Sequence, residues 1–307
     1  MRTALILLFL MVLAPAKSWA CDICGCGVGS YYIGILPDFK KRFVGLRYQN
    51  KLLVSHLNEN GERTYLTTNE RFHTIEVWGA LNIGKRFRAM YILPYNFISK
   101  NNQGTTSSKS GFGDAAIFGY YNVLRKEHTT DHLKRIIQSL WLGAGVKVPT
   151  GGYNPADKSE SAQQLNTFQL GTGSTDFSFN MMYDLRIHDA GMNVNTNYKI
   201  NTANNTGYRY GNKLTTMLLG YYKWRLGQQG SFSPNAGFVL ESATKDVSGS
   251  LVQHGTGGAI WMASVGVECS VRKISVGINF QDPLHQNLGN GIVLARERLM
   301  VHCSTGF

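Results

Sequence analysis

After residue 20 no stretch of this chain approaches the ~18 uninterrupted apolar residues that a membrane-crossing helix requires, which argues against a helical integral membrane protein. Charge is also scarce: Asp, Glu, Lys and Arg make up only 16% of 307 residues, with 19 acids against 31 Lys and Arg. Asp, Glu, His and Ser are scattered without a spacing suited to acid–base or nucleophilic work, so no enzyme is expected. What is abundant points elsewhere. Gly stands at 34, aromatics at 11%, and Asn and Thr are frequent, a composition for many strands and turns rather than a helical bundle.

The first residues read as an export signal: Arg2 gives a positive start, Ala4 to Leu13 an apolar core, and Ser18-Trp19-Ala20 a small-x-small cleavage site. Residues 1–20 are thus expected to be removed. That takes away Arg2 and Lys17 and no acid, leaving 29 basic and 19 acidic residues and a charge of +10. An exported protein rarely meets nucleic acid, so the positive balance suits lipopolysaccharide phosphates or an anion-favouring lumen better.

Alternation with period two runs through the rest of the chain. Met192, Val194, Thr196, Tyr198 and Ile200 alternate with Asn193, Asn195, Asn197, Lys199 and Asn201, and Phe177, Phe179, Met181, Tyr183, Leu185 and Ile187 alternate with Ser178, Asn180, Met182, Asp184, Arg186 and His188. One parity suits lipid and the other water, as in a transmembrane barrel wall. Such blocks fall near 42–54, 70–83, 86–99, 111–126, 134–149, 174–188, 190–205, 211–226, 230–244, 257–271, 273–281 and 292–307, about twelve strands (10–14), and the chain ends on an aromatic, Phe307. Short turns at 188–191 and 227–230 alternate with longer polar stretches at 100–110, 150–165 and 245–256. The expected fold is all-β, an antiparallel outer-membrane β-barrel over 42–307, and a soluble sandwich or propeller is the alternative.

The same parity places basic residues. Charge facing lipid near midplane costs ~2–4 kcal/mol, so Arg186, His188, Lys199, Arg296 and Arg298 are assigned, with Asn193, Asn195 and Asn197, to the lumen or a rim. They either disfavour cations in an open lumen or pair with Asp184, Glu268 and Glu297 as filling ion networks. Tyr91, Tyr95, Tyr120, Tyr121, Trp141, Tyr221, Tyr222, Trp224 and Trp261 are expected in interface girdles.

Three segments read together: Ser110-Gly111-Phe112-Gly113-Asp114 with Ala115 to Tyr121, then Gly143-Ala144-Gly145-Val146-Lys147-Val148-Pro149-Thr150-Gly151, then Leu170-Gly171-Thr172-Gly173-Ser174-Thr175-Asp176-Phe177. In order and spacing they resemble the outer-membrane "transporter" barrels named after the meta-pathway of phenol degradation, over roughly 70–307. The resemblance implies an outer-membrane barrel that takes up small, often hydrophobic or aromatic molecules. Physically, Pro149 ends a strand and the glycines permit bends, while Asp114 and Asp176 cap turns or pair with lumen arginines.

Cys21-Asp22-Ile23-Cys24-Gly25-Cys26 is a C-x-x-C-x-C cluster in a Cys-rich segment over 21–41. Cys21, Cys24 and Cys26 make a three-sulfur soft-metal site that suits copper(I); zinc would need a fourth ligand, from His56 or His73. A disulfide and lipidation of Cys21 stand as alternatives. Val28 to Lys41 is read as a small plug in the lumen, or else an extra strand. Cys269 and Cys303 share parity with aliphatic neighbours and are expected to face lipid.

The leading expectation is an outer-membrane channel for a small solute with an N-terminal metal site. Its alternative is a non-conducting barrel whose cysteines serve metal binding, sensing or assembly with an envelope partner. Its surroundings would be outer-membrane lipid and lipopolysaccharide, with the barrel-assembly machinery as a folding partner.

Overall fold

The computed structural model describes residues 42–58, 60–129, 135–157, 165–227 and 229–307. Alternating sequence becomes twelve wall strands: β1 Phe43–Ser55, β2 Thr68–Ile83, β3 Phe87–Asn102, β4 Ala115–Thr129, β5 Arg135–Val148, β6 Asp176–Ile187, β7 Ala190–Ile200, β8 Lys213–Tyr222, β9 Gly230–Ala243, β10 Gly258–Val271, β11 Ile274–Leu288 and β12 Val293–Gly306. Each pairs antiparallel with its neighbours in chain order, and β1 pairs β12 from Phe43↔Gly306 to Ser55↔Val293, which closes a twelve-stranded barrel. Closure leaves no free sheet edge among these strands, as a lipid-facing sheet requires.

Every wall strand turns one parity outward. Leu46, Ile75, Leu93, Ile117, Phe179, Leu218, Phe238, Val265 and Ile278 are exposed apolar residues on that outer face, while Arg47, Glu76, Asn96, Asn197 and Asn279 are buried on the inner one. Cys269 and Cys303 are free, exposed and outward, and both pair with Val276 of β11 from opposite sides. No disulfide joins them.

The two rims differ. Gly84–Arg86, His188–Asp189 and Arg272–Lys273 are short turns on the rim that also holds Phe43 and Gly306. The other rim carries the connections 56–67, 149–175, 201–212 and 244–257. A small three-stranded sheet of Tyr208–Arg209, Val247–Ser248 and Leu251–Val252 sits on this long-loop rim.

Two departures from the alternation have physical reasons. The polar stretch near 100–110 reads as loop, yet β3 runs on to Asn102, turns through Gln103 (φ 52°) and Gly104 (φ 79°) and returns as Thr105–Phe112. Its Thr/Ser residues are exposed, so no apolar parity marks it. The strand read at 273–281 continues to Leu288, because an extra residue at Leu284 (Trp261↔His285, then Met262↔Pro283) breaks the alternation there.

Aromatics ring the short-turn rim on the outside: Phe87 with Tyr121 at 4.9 Å, and Tyr222, Trp224 and Phe232 in sequence at 5.4 and 5.6 Å. Tyr120, Trp141 and Tyr221, expected in the girdle, instead take the inward parity, with Tyr120 and Trp141 buried in the lumen.

Candidate functional site

The segments that carry the family resemblance meet at the head of β5 and β6. Lys147, inward on β5, donates from Nζ to Asp114 at 2.6 Å and to Thr172, and forms an ion pair with Asp176 at 2.7 Å. All three charges are buried, so none has water to fall back on. Asp114 also accepts from the backbone N–H of Gly151 at 3.0 Å and of Thr172 at 2.8 Å. Ser174 donates to Asp176 at 2.8 Å. Gly151 and Gly171 press together over Asp114: a Cβ on Gly171 would lie 2.3 Å from Asp114 Oδ1 and 2.8 Å from Gly151 Cα, which only glycine avoids. Thr150 spans the break before β4, donating to Gly113 O and accepting from Ala115 N, both at 2.8 Å. The network anchors both ends of the 149–175 connection to the wall.

Held this way, the described end of that connection folds inward. Asn166, Thr167 and Gln169 are almost wholly buried, and Leu165, Phe168 and Leu170 join a lumen cluster with Leu53, Phe72, Ile98, Met217 and Leu219. Thr167 donates to the buried Glu70 carboxylate of β2. Lys109 donates to Phe168 O at 2.6 Å and lies 4.1 Å from its ring centroid, and Tyr210 donates to Asn166 O at 3.0 Å. Residues 165–172 therefore occupy the outer mouth of the lumen. From the sequence this stretch reads as loop and strand lead-in. A visible signal was Leu165, Phe168 and Leu170, too apolar for a solvated loop.

Nearer the short-turn rim the lumen has two unlike walls. On β1 to β6, Phe43, Trp78, Ala80, Met90, Ile92, Phe118, Tyr120, Trp141 and Met182 form one buried cluster. Glycine makes the room: Phe118 pairs with Gly145 and Tyr120 with Gly143, and a Cβ on either glycine would lie 2.3 or 2.6 Å from the facing ring. Facing it, β7 and β9 to β12 present Asn195, Asn197, Ser231, Ser233, Asn235, Ser264, Glu268, Asn279, Gln281, His302 and Ser304, all buried. Arg47 and Glu76, paired at 2.5 Å, sit at the seam, the guanidinium 5.1 Å from the Trp78 ring.

Above this zone lies an ionic group. Arg298 grips Glu241 with two bonds, 2.6 and 3.1 Å, and Lys213 reaches the same carboxylate at 3.3 Å. Lys51 lies within electrostatic range of all three.

The expected lumen residues distribute as follows. Asn193, Asn195, Asn197 and Lys199 lie on the inner face of β7, and Arg298 on that of β12. Arg186 has inward parity near the short-turn rim, within electrostatic range of Asp184. Of the expected lumen or rim positions His188 takes the rim, and Arg296 takes neither. His188 is exposed in the β6–β7 turn at φ 57°, paired with Asp189 at 3.2 Å, because the turn ends the alternation. Arg296 is exposed outside the barrel, because β12 carries an extra residue opposite β1 (Lys51↔Arg298, then Leu53↔Ala295) that resets its parity. Lys147 rather than an arginine partners Asp114 and Asp176. The signal at Lys147, Lys213 and Glu241 was a charge near a strand end beside an apolar residue (Val146, Leu214 and Leu240), which parity assigns to the lumen.

Residues 1–41 lie outside the described residues, so the expected signal, plug and metal ligands Cys21, Cys24 and Cys26 do too. Among the described residues no three His, Cys, Asp or Glu side chains gather as a metal site, and His73 instead bonds Tyr48 at 2.7 Å.

The fold is that of outer-membrane β-barrels. The chain is similar to the COG4313 outer membrane channel from Pseudomonas putida F1, with a TM-score of 0.58 and 12% identity over 87% of this chain and 96% of that one. It is also similar to the β domain of the Bordetella autotransporter BrkA, with a TM-score of 0.50 and 9% identity over 87% of this chain and 100% of that one. No curated protein sequence matches. The protein is thus an outer-membrane β-barrel whose long-loop rim, by the arrangement of such barrels, faces outward. Residues 60–283 match the family described as the MetA-pathway of phenol degradation, and the chain belongs to that family.

Proposed function

We propose that this protein is an outer-membrane channel that passes a small solute with a hydrophobic or aromatic body. The observation that carries the reading is the two-walled lumen: an aromatic cluster on β1 to β6 faces an amide and hydroxyl wall on β7 and β9 to β12. Arg88, Asn122 and Asn180 interrupt the ring cluster, but among the described residues no comparable group of rings lines the other wall. A solute with an apolar ring and a polar edge finds a partner on each side, the ring against Trp78 and Phe118 and the edge toward Asn197 and Asn279. The similarity to a Pseudomonas outer membrane channel and membership of a family named for phenol degradation both favour this class of solute. The inward 165–172 stretch controls entry from the outer side, and the buried Lys147 triad sets its position.

Planar-bilayer recording of the refolded protein tests the reading. Discrete conductance steps, reduced when a small phenol is added to the outer side, are expected. Silent bilayers from correctly folded protein would instead support a non-conducting barrel.

A further inference from the structure

Among the described histidines only His302 is buried, and it faces the lumen from β12. The register sets charged groups on both sides of it. Directly opposite on β1 stands Arg47, itself opposite Glu76 of β2, and directly opposite on β11 stands Gly277, itself opposite Glu268 of β10. Gly277 has no side chain to intervene, so Glu268 reaches across that strand and its Oε2 lies 3.0 Å from His302 Nε2, both side chains 2% exposed. A Cβ on Gly277 would lie 2.3 Å from His302 Cε1 and 2.5 Å from Glu268 Oε2, so only glycine permits the contact. On the other side Arg47 pairs with Glu76 at 2.5 Å. One level of the wall thus carries two carboxylates, a guanidinium and an imidazole.

His302 also stands where the two lumen walls meet. Its ring lies edge-on to Trp78 of the ring cluster, 5.8 Å between centroids, while Ser304 beside it on β12 and Asn279 beside Gly277 on β11 belong to the amide and hydroxyl wall. Anything that passes between the walls passes this level. A carboxylate faces Nε2 only while that nitrogen carries hydrogen, so the ring takes up its further proton at Nδ1 and the contact with Glu268 persists in both states. What changes is charge, and away from bulk water one added charge is felt at longer range.

We propose that His302 sets the ion selectivity of the lumen through that proton: the neutral imidazole leaves the level more favourable to cations, and the imidazolium moves it toward anions. The proposal rests on the channel reading and adds a proton-dependent selectivity to it. Among the described residues the charged groups facing His302 are Arg47, Glu76 and Glu268, and of these residue types only histidine ordinarily changes charge between about pH 5 and 8. The direction does not depend on the rest of the lumen, because the proton adds one positive charge whatever the remaining sum.

Reversal potentials of the refolded full chain in planar bilayers under a potassium chloride gradient, taken at about pH 8 and about pH 5.5, test it. On acidification the chloride-to-potassium permeability ratio of the parent should rise about threefold, and that of His302→Gln should stay level. Selectivity independent of pH in a conducting parent, or an equal rise in the folded variant, would overturn the proposal. If His302→Gln does not fold, Glu268→Gln decides: removing that negative charge should move selectivity toward anions at both pH values while the rise on acidification persists, and selectivity unchanged from the parent at about pH 8 would count against the site. The two claims separate in the same recordings. Conduction with pH-independent selectivity removes the proton switch and keeps the channel, whereas silent bilayers from folded protein remove both.

Discussion

The lumen wall made by β1 to β6 and the wall made by β7 and β9 to β12 have the same backbone, the same alternation and the same lipid-facing exterior, but they fill their interiors by different physics. The first packs rings against glycines, as Phe118 does on Gly145 and Tyr120 on Gly143. That is apolar burial, and it is sensitive to shape. The second lines up short amides and hydroxyls, where Asn279 donates to Ser264 at 2.9 Å and Asn197 reaches across to Asn180 of β6 at 2.5 Å. Such side chains add modest stability and leave polar atoms to offer a visitor. In Asn235 neither amide atom has a partner among the described residues. One wall therefore holds the barrel in shape, and on the proposed function the other specifies what passes.

The largest expected effect lies where the walls join the outer mouth. Lys147→Met strands two buried carboxylates, Asp114 and Asp176, and should cost about 3–5 kcal/mol in urea unfolding followed by tryptophan fluorescence. A loss below ~1 kcal/mol would mean that the triad does not anchor the 149–175 connection. Next comes the ring wall: Trp78→Ala, at a side chain 1% exposed, should cost about 3–5 kcal/mol through the cavity it leaves. The amide wall should respond far less, and Asn235→Ala is expected within ~1 kcal/mol of the parent, because no bond within the described residues is lost. Equal losses at Trp78 and Asn235 would erase the contrast between the walls.

The smallest effect belongs to the rim, outside both walls. Burial, helped by the Lys100 ammonium, holds the His56 imidazole below the usual histidine range. With its folded value depressed, the unfolded chain binds the proton first, so the local order that His56 supports is complete above about pH 6.5 and weakens as pH falls below it. Amide hydrogen exchange in 60–67, where Thr64 donates to His56 O at 3.0 Å, should accelerate at pH 5 beyond the intrinsic pH effect, while β1 and β2 stay protected. The same acceleration in His56→Gln would remove histidine as the cause.

Much of the barrel was legible because alternation is a one-dimensional record of which face meets lipid. Twelve blocks gave twelve strands, and Asn193 to Lys199 fell on one face as their spacing required. The failures sit where the record is interrupted. Arg296 and the tail of β11 follow extra residues in the ladder, which reverse parity without changing composition. Tyr120, Trp141 and Tyr221 read as girdle residues because an aromatic beside a strand end looks the same whether it points to lipid or to the lumen. The inward course of 165–172 and the Lys147 triad depend on contacts between residues 29 to 97 positions apart, which no local pattern encodes.

The most direct test of the account is the unitary conductance of the protein and of its Lys147→Gln variant, recorded in the same planar bilayers. If the triad holds residues 165–172 in the outer mouth of a solute path, the variant conducts in distinctly larger steps, and adding Thr167→Val, which frees Glu70, does not reverse the gain. Identical conductance in the parent and in a folded Lys147→Gln barrel would contradict it, because the inward segment would then have no hold on the path.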